Sequence, residues 1–319
     1  MGEFYHMSRL IFVPQFPTKL RYQEWFYIEF PKEFRKHFDE VITLGQSYVS
    51  LKGSMEARSD KAMFSPIRDS FVMEHNQINE YQDLKLYDDD ILLLMDLSFP
   101  GFFSNVLYHK PTKNAFAYCH ATSKNAYDYF APVRKSKWLV ETAHSKLFKK
   151  VFVATYYHQY KLGWKNTEVV GLPKPPFRTF NADKKYHIIS VSRPCRQKVD
   201  NKLEHKIEEY FKTKVYRKEC YSWREYYEFL SQGRVLLITT KEDTFGYQAL
   251  EAIMNNTCVV APNKFSYPEL LPHACLYDSF EDALVKIAIP EIVTTLSNQD
   301  IIDNFYNSII RIMKEESNE

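Results

Sequence analysis

The stretch LLITTKEDTFGYQALEAIMNNTCVVAPNKFSYPE, residues 236–269, has the order strand, polar turn, helix and strand. An apolar run over 235–238 precedes the turn, and Leu250, Ile253 and Met254 have the i, i+3, i+4 spacing of one helix face. A second apolar run follows over 258–261. This order is typical of a parallel βαβ unit, which binds its ligand at the carboxyl end of the strand, beside the helix N-terminus. We therefore expect a ligand site at residues 239–246.

Two acidic residues of this stretch are candidate ligand contacts, one within the expected site and one after it in the sequence. Asp243 lies in the turn just before the helix, and Glu251 lies about two turns into the helix. One carboxylate can therefore face the reacting end of a ligand, while the other faces a part further back. The ordinary structural explanation is an acid that favours the helix N-terminus together with one exposed helix Glu.

The string DTFGYQALEA, residues 243–252, resembles the signature E-x-F-G-x-x-x-x-E-A of retaining, nucleotide-sugar-dependent glycosyltransferases of the glycogen-synthase and family 4 type. The resemblance implies that Asp243 contacts the donor sugar and that Glu251 contacts the ribose hydroxyls. It also makes Thr244, Phe245 and Gly246 part of the donor-binding turn. Asp243 stands where the family has Glu, which shortens the reach of this carboxylate by one methylene.

A second motif of the same family begins at the strand-like run YHIISVS, residues 186–192, which precedes Arg193 and Lys198. The sequence is similar to G-R-x-x-x-x-K, whose Arg and Lys hold the donor diphosphate, although Ser192 replaces the usual Gly and Val199 the Gly that often follows the Lys. Fixed cations would stabilise the charge that develops on the departing diphosphate. The resemblance therefore implies a site without a metal ion.

The length of 319 residues, with 45% hydrophobic and 16% aromatic content, suits two globular domains. The resemblance implies an α/β protein of GT-B architecture, in which two Rossmann-like, doubly wound domains face a cleft. We expect an acceptor-side domain over 7–173, a nucleotide-sugar-binding domain over 177–296, and a proline-stiffened linker, GLPKPP, over 171–176. Residues 1–6 precede a second methionine and are interpreted as a cloning remnant.

Residues 297–319 are expected to form a terminal helix that crosses back onto the first domain. Ser297, with Asp300 three residues on, predicts its start. The predicted apolar stripe consists of Ile301, Ile302, Phe305, Ile309, Ile312 and Met313.

Two candidate catalytic residues end strand-like runs of the first half. Asp96 follows the apolar run ILLLM and is expected either to orient an acceptor hydroxyl or to cap the turn at Ser98. His120 follows the run 115–119, with Thr122 or Ser123 as the cap of a following helix. The resemblance implies that His120 contacts the donor sugar, and a buried structural histidine is the alternative. No G-x-G-x-x-G occurs in the chain, which argues against a simple dinucleotide site.

Basic and aromatic residues are interleaved between Lys124 and Lys150, a segment that contains seven Lys or Arg and two acids. Cations for phosphates and flat side chains for bases are typical of a nucleic-acid surface, so Lys124, Arg134, Lys135 and Lys137 are candidate acceptor-binding residues and duplex DNA a candidate partner. A solvated helix face over a core of aromatics is the alternative. The net charge of +2 is too mild to indicate nucleic-acid binding by itself.

The five cysteines are scattered and form no C-x-x-C, which favours reduced core residues and a cytoplasmic protein. No apolar run approaches 18 residues, so the sequence predicts no membrane span and leaves only peripheral membrane contact open.

The resemblance leads to a functional hypothesis: transfer of a sugar from a nucleotide diphosphate donor, a UDP-sugar first, to an acceptor hydroxyl with retention of anomeric configuration. No residue is placed as a covalent nucleophile, so the leaving phosphate is expected to help deprotonate the acceptor. A viral-type enzyme that modifies hydroxymethylated pyrimidines in DNA is one hypothesis, and a transferase acting on a cell-envelope polysaccharide or glycolipid is another. A degenerate protein that binds a nucleotide sugar or nucleic acid without turnover is the alternative from a different class. A phosphorylase would need a cofactor-lysine context that is not recognisable here.

Overall fold

The structure, a computed structural model, describes residues 8–18, 21–46, 66–127, 131–192 and 198–318. Two parallel sheets organise them. The first sheet has the strand order β2-β1-β3-β4-β5-β6. Its strands are β1 (Arg9–Val13), β2 (Glu40–Thr43), β3 (Ile91–Met95), β4 (Asn114–Tyr118), β5 (Lys150–Val153) and β6 (Thr167–Val169), and its helices are α1 (Tyr22–Phe34), α2 (Pro66–Asp83), α3 (Arg134–Ser145) and α4 (Tyr156–Leu162).

The second sheet has the strand order β11-β10-β9-β7-β8. Its strands are β7 (Tyr186–Ile189), β8 (Val215–Tyr216), β9 (Gly233–Leu237), β10 (Cys258–Pro262) and β11 (Leu276–Tyr277). The helices of this half are α5 (Asn201–Phe211), α6 (Trp223–Gln232), α7 (Tyr247–Met254), α8 (Tyr267–Leu270) and α9 (Phe280–Ala288), followed by α10 (Asp300–Asp303) and α11 (Phe305–Ser317).

The central strands are covered on both faces, as their continuous apolar sequences require. In β1, Leu10 and Phe12 join the cluster around α1, while Ile11 and Val13 join the cluster on the opposite face. The prediction of two Rossmann-like, doubly wound sheets is therefore confirmed.

Two local predictions were wrong. No helix begins at Thr122 or Ser123, because both residues bind the buried carboxylate of Glu141 instead and α3 begins only at Arg134. Ser297 does not cap the terminal helix, because the helical residues begin at Asp300 with Gln299 as the N-cap and divide into α10 and α11. At Thr122 and Ser123, tertiary hydrogen bonds outcompeted the local capping pattern.

The two halves share one apolar cluster, to which α1, α7 and α11 contribute. The rings of Trp25 and Tyr247 lie 5.8 Å apart, and Phe305 of α11 lies 5.5 Å from Phe30 of α1. Helix α11 packs against β4, so the terminal helix lies against the first sheet.

Polar contacts also join the halves. The carboxylate of Glu269 accepts hydrogen bonds from the amides of Tyr156 and Tyr157, at 2.8 and 2.5 Å, at the start of α4. The indole of Trp223 donates to the carboxylate of Glu24 at 3.0 Å. These contacts join α8 to α4 and α6 to α1 across the two halves.

Cys119, Cys220, Cys258 and Cys275 are free thiols, and Cys195 lies outside the described residues. No helix among the described residues is long and apolar enough to cross a membrane.

Candidate functional site

The site forms where the second sheet reverses its strand order. Strands β7 and β9 are neighbours, but the chain leaves β7 for β8 on one side and β9 for β10 on the other. The loops that follow these two strands diverge and leave a crevice at their carboxyl ends, which is where open α/β sheets bind ligands. Both sequence motifs, around Lys198 and around Asp243, belong to these loops.

A short antiparallel bridge joins the two loops. Val199 pairs with Thr240, the amide of Lys241 donates to the carbonyl of Lys198 at 2.8 Å, and the amide of Asp200 donates to the carbonyl of Thr239 at 2.9 Å. The backbone of Lys198 is therefore held beside the turn that carries Asp243, although about 45 residues separate the two motifs.

A cavity of about 300 Å³ opens at this point. Lys198, Asp243 and Glu251 all line it, so three of the predicted site residues meet around one space. Their individual roles stay predictions. Arg193 lies outside the described residues, so its position beside Lys198 is not described.

Asp243 belongs to a polar network. Its Oδ2 accepts from the hydroxyl of Tyr267 at 2.9 Å, and its Oδ1 accepts from the amide of Phe245 at 3.2 Å. Gln248 donates to the same Tyr267 hydroxyl at 3.0 Å and accepts from Ser192 at 2.9 Å. The network fixes the orientation of the carboxylate towards the cavity.

Gly246 precedes the first residue of α7 in a left-handed conformation, with φ of +85°. A Cβ at this position would lie 2.7 Å from the ring of Tyr267. The glycine is thus needed both for the backbone conformation and for the close approach of the ring that binds Asp243.

Glu251 is buried at the back of the cavity, where its carboxylate accepts hydrogen bonds from Tyr226 at 2.8 Å and Tyr227 at 3.4 Å. Burial raises the pKa of Glu251 to about 7, and the two tyrosine hydroxyls partly oppose this shift. Because the pKa is raised towards neutral pH, the charge of this carboxylate is sensitive to a ligand that donates hydrogen bonds to it.

Thr244 and Phe245 are buried rather than placed on the cavity wall. The hydroxyl of Thr244 donates to the carbonyl of His120 at 3.2 Å, and its own carbonyl accepts from Thr155 at 2.8 Å. These two residues support the turn before α7 from behind and connect it to the first half.

His120 contacts the ring of Tyr22, which in turn lines the cavity. Its ring lies 3.9 Å, between centroids, from that of Tyr22, which lines the cavity. Asp96 is buried, with Oδ1 accepting from Ser98 at 3.0 Å and Oδ2 from the amide of Ala121 at 3.0 Å. Burial raises the pKa of Asp96 to about 7, against these amide hydrogen bonds. The turn-capping contact that the sequence offered as one alternative is therefore present, and contact of Asp96 or His120 with a substrate stays a prediction.

The predicted acceptor-binding cations divide into two groups. Lys124, Arg134 and Lys135 line an open depression on the surface of the first half. Lys137 instead points inwards, where its Nζ donates to the carbonyl of Pro100 at 2.9 Å, and burial lowers its pKa. Lys137 is therefore not part of that surface, because its long side chain reaches a polar interior.

Several residues that line the cavity were not predicted from the sequence. Arg21 and Lys218 add two cations, and Trp25, Trp223 and Tyr226 add aromatic walls. Lys218 comes two residues after β8, so the rule that ligands bind at the carboxyl ends of parallel strands could have identified it. Arg21 carries no such signal. Among the residues that the structure describes, no group of three or more His, Cys, Asp or Glu is placed to hold a metal ion.

No protein-family model matches this sequence, and a search of curated proteins gives no match. Solved structures do match. Sucrose-phosphate synthase from Thermosynechococcus elongatus aligns at a TM-score of 0.64 and 10% identity, covering 97% of this chain and 98% of that chain. An α,α-trehalose-phosphate synthase (UDP-forming) from Burkholderia vietnamiensis aligns at 0.61 and 11% identity, covering 98% of each chain.

UDP-N-acetylglucosamine 2-epimerase from Rickettsia bellii aligns at a TM-score of 0.54 and 14% identity, again covering 98% of each chain. These likenesses show the GT-B fold expected from the sequence. Because one of the matched structures is an epimerase, the fold alone does not decide the reaction.

Proposed function

We propose that this protein is a glycosyltransferase that moves a sugar from a nucleotide diphosphate donor to an acceptor hydroxyl. The proposal rests on one observation: Lys198, Asp243 and Glu251 line the same cavity. Cations suit a diphosphate, a carboxylate suits ribose hydroxyls, and aromatic walls suit a base. A UDP-sugar is the first donor to test, since the names of two matched structures include UDP.

The proposed reaction proceeds with retention, as in the glycogen-synthase and family 4 pattern. The bond between the anomeric carbon and the diphosphate oxygen breaks, a bond to the acceptor oxygen forms on the same face, and the acceptor proton passes to the leaving phosphate. Lys198, with Arg193, would stabilise the charge on the diphosphate without a metal ion. Glu251 would bind the ribose, and Asp243 and His120 the sugar.

Two classes of acceptor are proposed from the sequence: a hydroxymethylated pyrimidine in duplex DNA, and a cell-envelope polysaccharide or glycolipid. The cations Lys124, Arg134 and Lys135 at the surface depression suit an anionic partner of either class, through the phosphates of DNA or of lipid head groups. A DNA acceptor would be recognised by binding that weakens steeply with salt, because each neutralised phosphate releases a counterion. A glycolipid or polysaccharide acceptor would lack this salt dependence towards duplex DNA.

A calorimetric and thermal-shift screen tests the donor site. We expect one nucleoside diphosphate among uridine, guanosine, adenosine and cytidine diphosphates to stabilise the wild-type protein selectively. Replacing Glu251 with Ala should weaken that binding by about tenfold or more, since a charged hydrogen bond contributes roughly 1.5–3 kcal/mol. Glu209→Ala, on an exposed position of α5, is the matched control and should bind like wild type.

Equal affinity in Glu251→Ala and wild type would overturn the assignment of this residue, and no binding of any nucleotide would overturn the proposed function. Release of free nucleoside diphosphate from a nucleotide sugar would separate a transferase from a protein that only binds.

The pH dependence of binding gives a second test. Because the pKa of Glu251 is raised to about 7, the free protein is protonated at this site below that pH. Ribose hydroxyls bind the charged carboxylate best, so affinity should fall as pH drops through about 7, by at most roughly tenfold per pH unit. Removing the Tyr226 hydroxyl should raise the midpoint further, since its hydrogen bond lowers the pKa.

Titration calorimetry from about pH 8 to pH 5.5 measures this effect. The phosphate of the nucleotide also titrates in this range, so the ratio of wild-type affinity to Glu251→Gln affinity isolates the contribution of Glu251. A ratio that does not change with pH would contradict the prediction.

A further inference from the structure

Helix α3 has an inverted distribution of side chains. Its inward positions include Glu141, His144 and Ser145, which are 1%, 4% and 2% exposed. Its outward positions include Leu139 and Val140, which are 72% and 43% exposed. A surface helix of a globular protein normally buries the apolar residues and exposes the polar ones.

Polar contacts hold the inward face in place. The carboxylate of Glu141 accepts from the hydroxyl of Thr122 and the amide of Ser123, both at 3.0 Å. His144 is hydrogen-bonded to the side chain of Asn105 at 3.0 Å. These hydrogen bonds, together with the stacking of Trp138 on Trp164 at 5.3 Å between ring centroids, dock helix α3, and Leu139 and Val140 are not needed for that docking.

Cations and exposed aromatics surround the outward face. Among the residues that the structure describes, the depression beside α3 is lined by Lys124, Arg134, Lys135, Trp138, Tyr160 and Lys161, which include four cations and no acid. Tyr160 of α4 is 87% exposed, and Val133, just before α3, is 53% exposed. We call Val133, Arg134, Lys135, Leu139 and Tyr160 the α3–α4 patch.

We propose that the α3–α4 patch is a docking surface for an anionic lipid membrane. Apolar side chains that protrude among Lys and Arg, with a tyrosine at the margin, match the boundary between lipid head groups and acyl chains. The cations attract the anionic head groups, and Leu139 and Val133 enter the acyl boundary. Duplex DNA would use the cations but would give Leu139 no apolar environment, so the lipid surface accounts for more of the patch.

The patch adjoins the candidate donor site. Lys161, at the depression, is paired with Glu242, the residue before Asp243. Docking would therefore bring the cleft close to the lipid head groups, where a glycolipid acceptor would be. This consequence for the acceptor rests on the proposed function, whereas the docking itself does not.

Sedimentation with vesicles tests the proposal on the full chain. Wild-type protein should co-sediment with vesicles of phosphatidylglycerol and phosphatidylcholine at a 1:1 ratio and bind phosphatidylcholine vesicles far less. Leu139→Glu should weaken binding to the anionic vesicles by about tenfold or more, because an apolar anchor becomes a repelled charge. Val285→Glu is the matched control, since Val285 is 62% exposed on α9 and lies outside the patch.

Several outcomes would overturn the proposal. Vesicle binding that is the same in Leu139→Glu and Val285→Glu would assign the contact to another surface. Binding to duplex DNA with no binding to anionic vesicles would show that the patch is a nucleic-acid surface. Binding to neither duplex DNA nor anionic vesicles would show that the patch does not dock to a membrane. Nucleotide affinity measured on the same samples reports on the donor site independently, so failure of docking and failure of the proposed function are distinguishable.

Discussion

Replacing Lys198 with alanine should lower the rate of nucleoside diphosphate release from a nucleotide sugar by about 100- to 1000-fold, the range found when one preorganised charge-stabilising group is removed. The side chain lines the cavity, and its backbone is fixed by the bridge to residues 239–241. The leaving diphosphate gains charge as its bond to the sugar breaks, so a fixed cation lowers the barrier more than it strengthens substrate binding.

Steady-state rates with sugar conjugates of the nucleoside diphosphate that calorimetry identifies provide the measurement. Lys202→Ala is a matched control, because Lys202 is an exposed lysine of α5 that does not line the cavity. Lys198→Arg should retain more activity than Lys198→Ala, since it keeps the charge. A Lys198→Ala variant that turns over within about threefold of wild type, and melts at the same temperature, would contradict the assigned role.

Replacing Gly171 with alanine should destabilise the folded protein by about 2–4 kcal/mol, combining a left-handed backbone penalty with overpacking. Gly171 has φ of +76°, and a Cβ there would lie 1.8 Å from the carbonyl oxygen of Ile301. The obstacle is backbone, so no side-chain rotation relieves it. The carbonyl of Gly171 also accepts the hydroxyl of Tyr118 at 2.6 Å, which opposes a shift of the linker.

Thermal unfolding of Gly171→Ala and Gly163→Ala separates the two contributions. Gly163 also has a positive φ, +67°, but the nearest atom to its Cβ would be 4.0 Å away, so this variant should lose only the backbone contribution of about 1–2 kcal/mol. The melting temperature of Gly171→Ala should fall by several degrees more than that of Gly163→Ala. Equal melting temperatures would show that the linker and α10 separate without cost.

The sequence predicted the parts of the fold that depend on local patterns. Continuous apolar runs marked the central strands, and the turn before α7 was recognised from Gly246 and the apolar spacing behind it. Lys198, Asp243 and Glu251 were chosen by a motif, and they line one cavity because parallel strands place their carboxyl ends together. The domain boundaries at residues 173, 177 and 296 stay predictions.

Other features depended on contacts between residues distant in sequence. Nothing local distinguishes Lys137, which points into the polar interior, from Lys135, which lies on the surface. Glu141 takes Thr122 and Ser123 away from a helix cap, and that exchange is visible only when the two segments meet. Periodicity detects an apolar stripe on a helix but does not show whether the stripe faces the core or the solvent. Because the interior beside α3 is polar, its apolar residues lie on the outward side, and the sequence alone could not show this.

The carboxylate of Glu269 has a consequence for local stability. It binds two of the amides that a helix leaves unpaired at its N-terminus, yet the helix is α4 of the first half and the carboxylate belongs to α8 of the second. Separation of the two halves would transfer these amides to water and remove a charge-assisted cap from a helix of only seven residues. We therefore expect cleft opening to favour fraying of the first turn of α4, whose remaining side-chain cap is the hydroxyl of Thr155 accepting from the amide of His158, so that a local unfolding equilibrium is linked to domain motion.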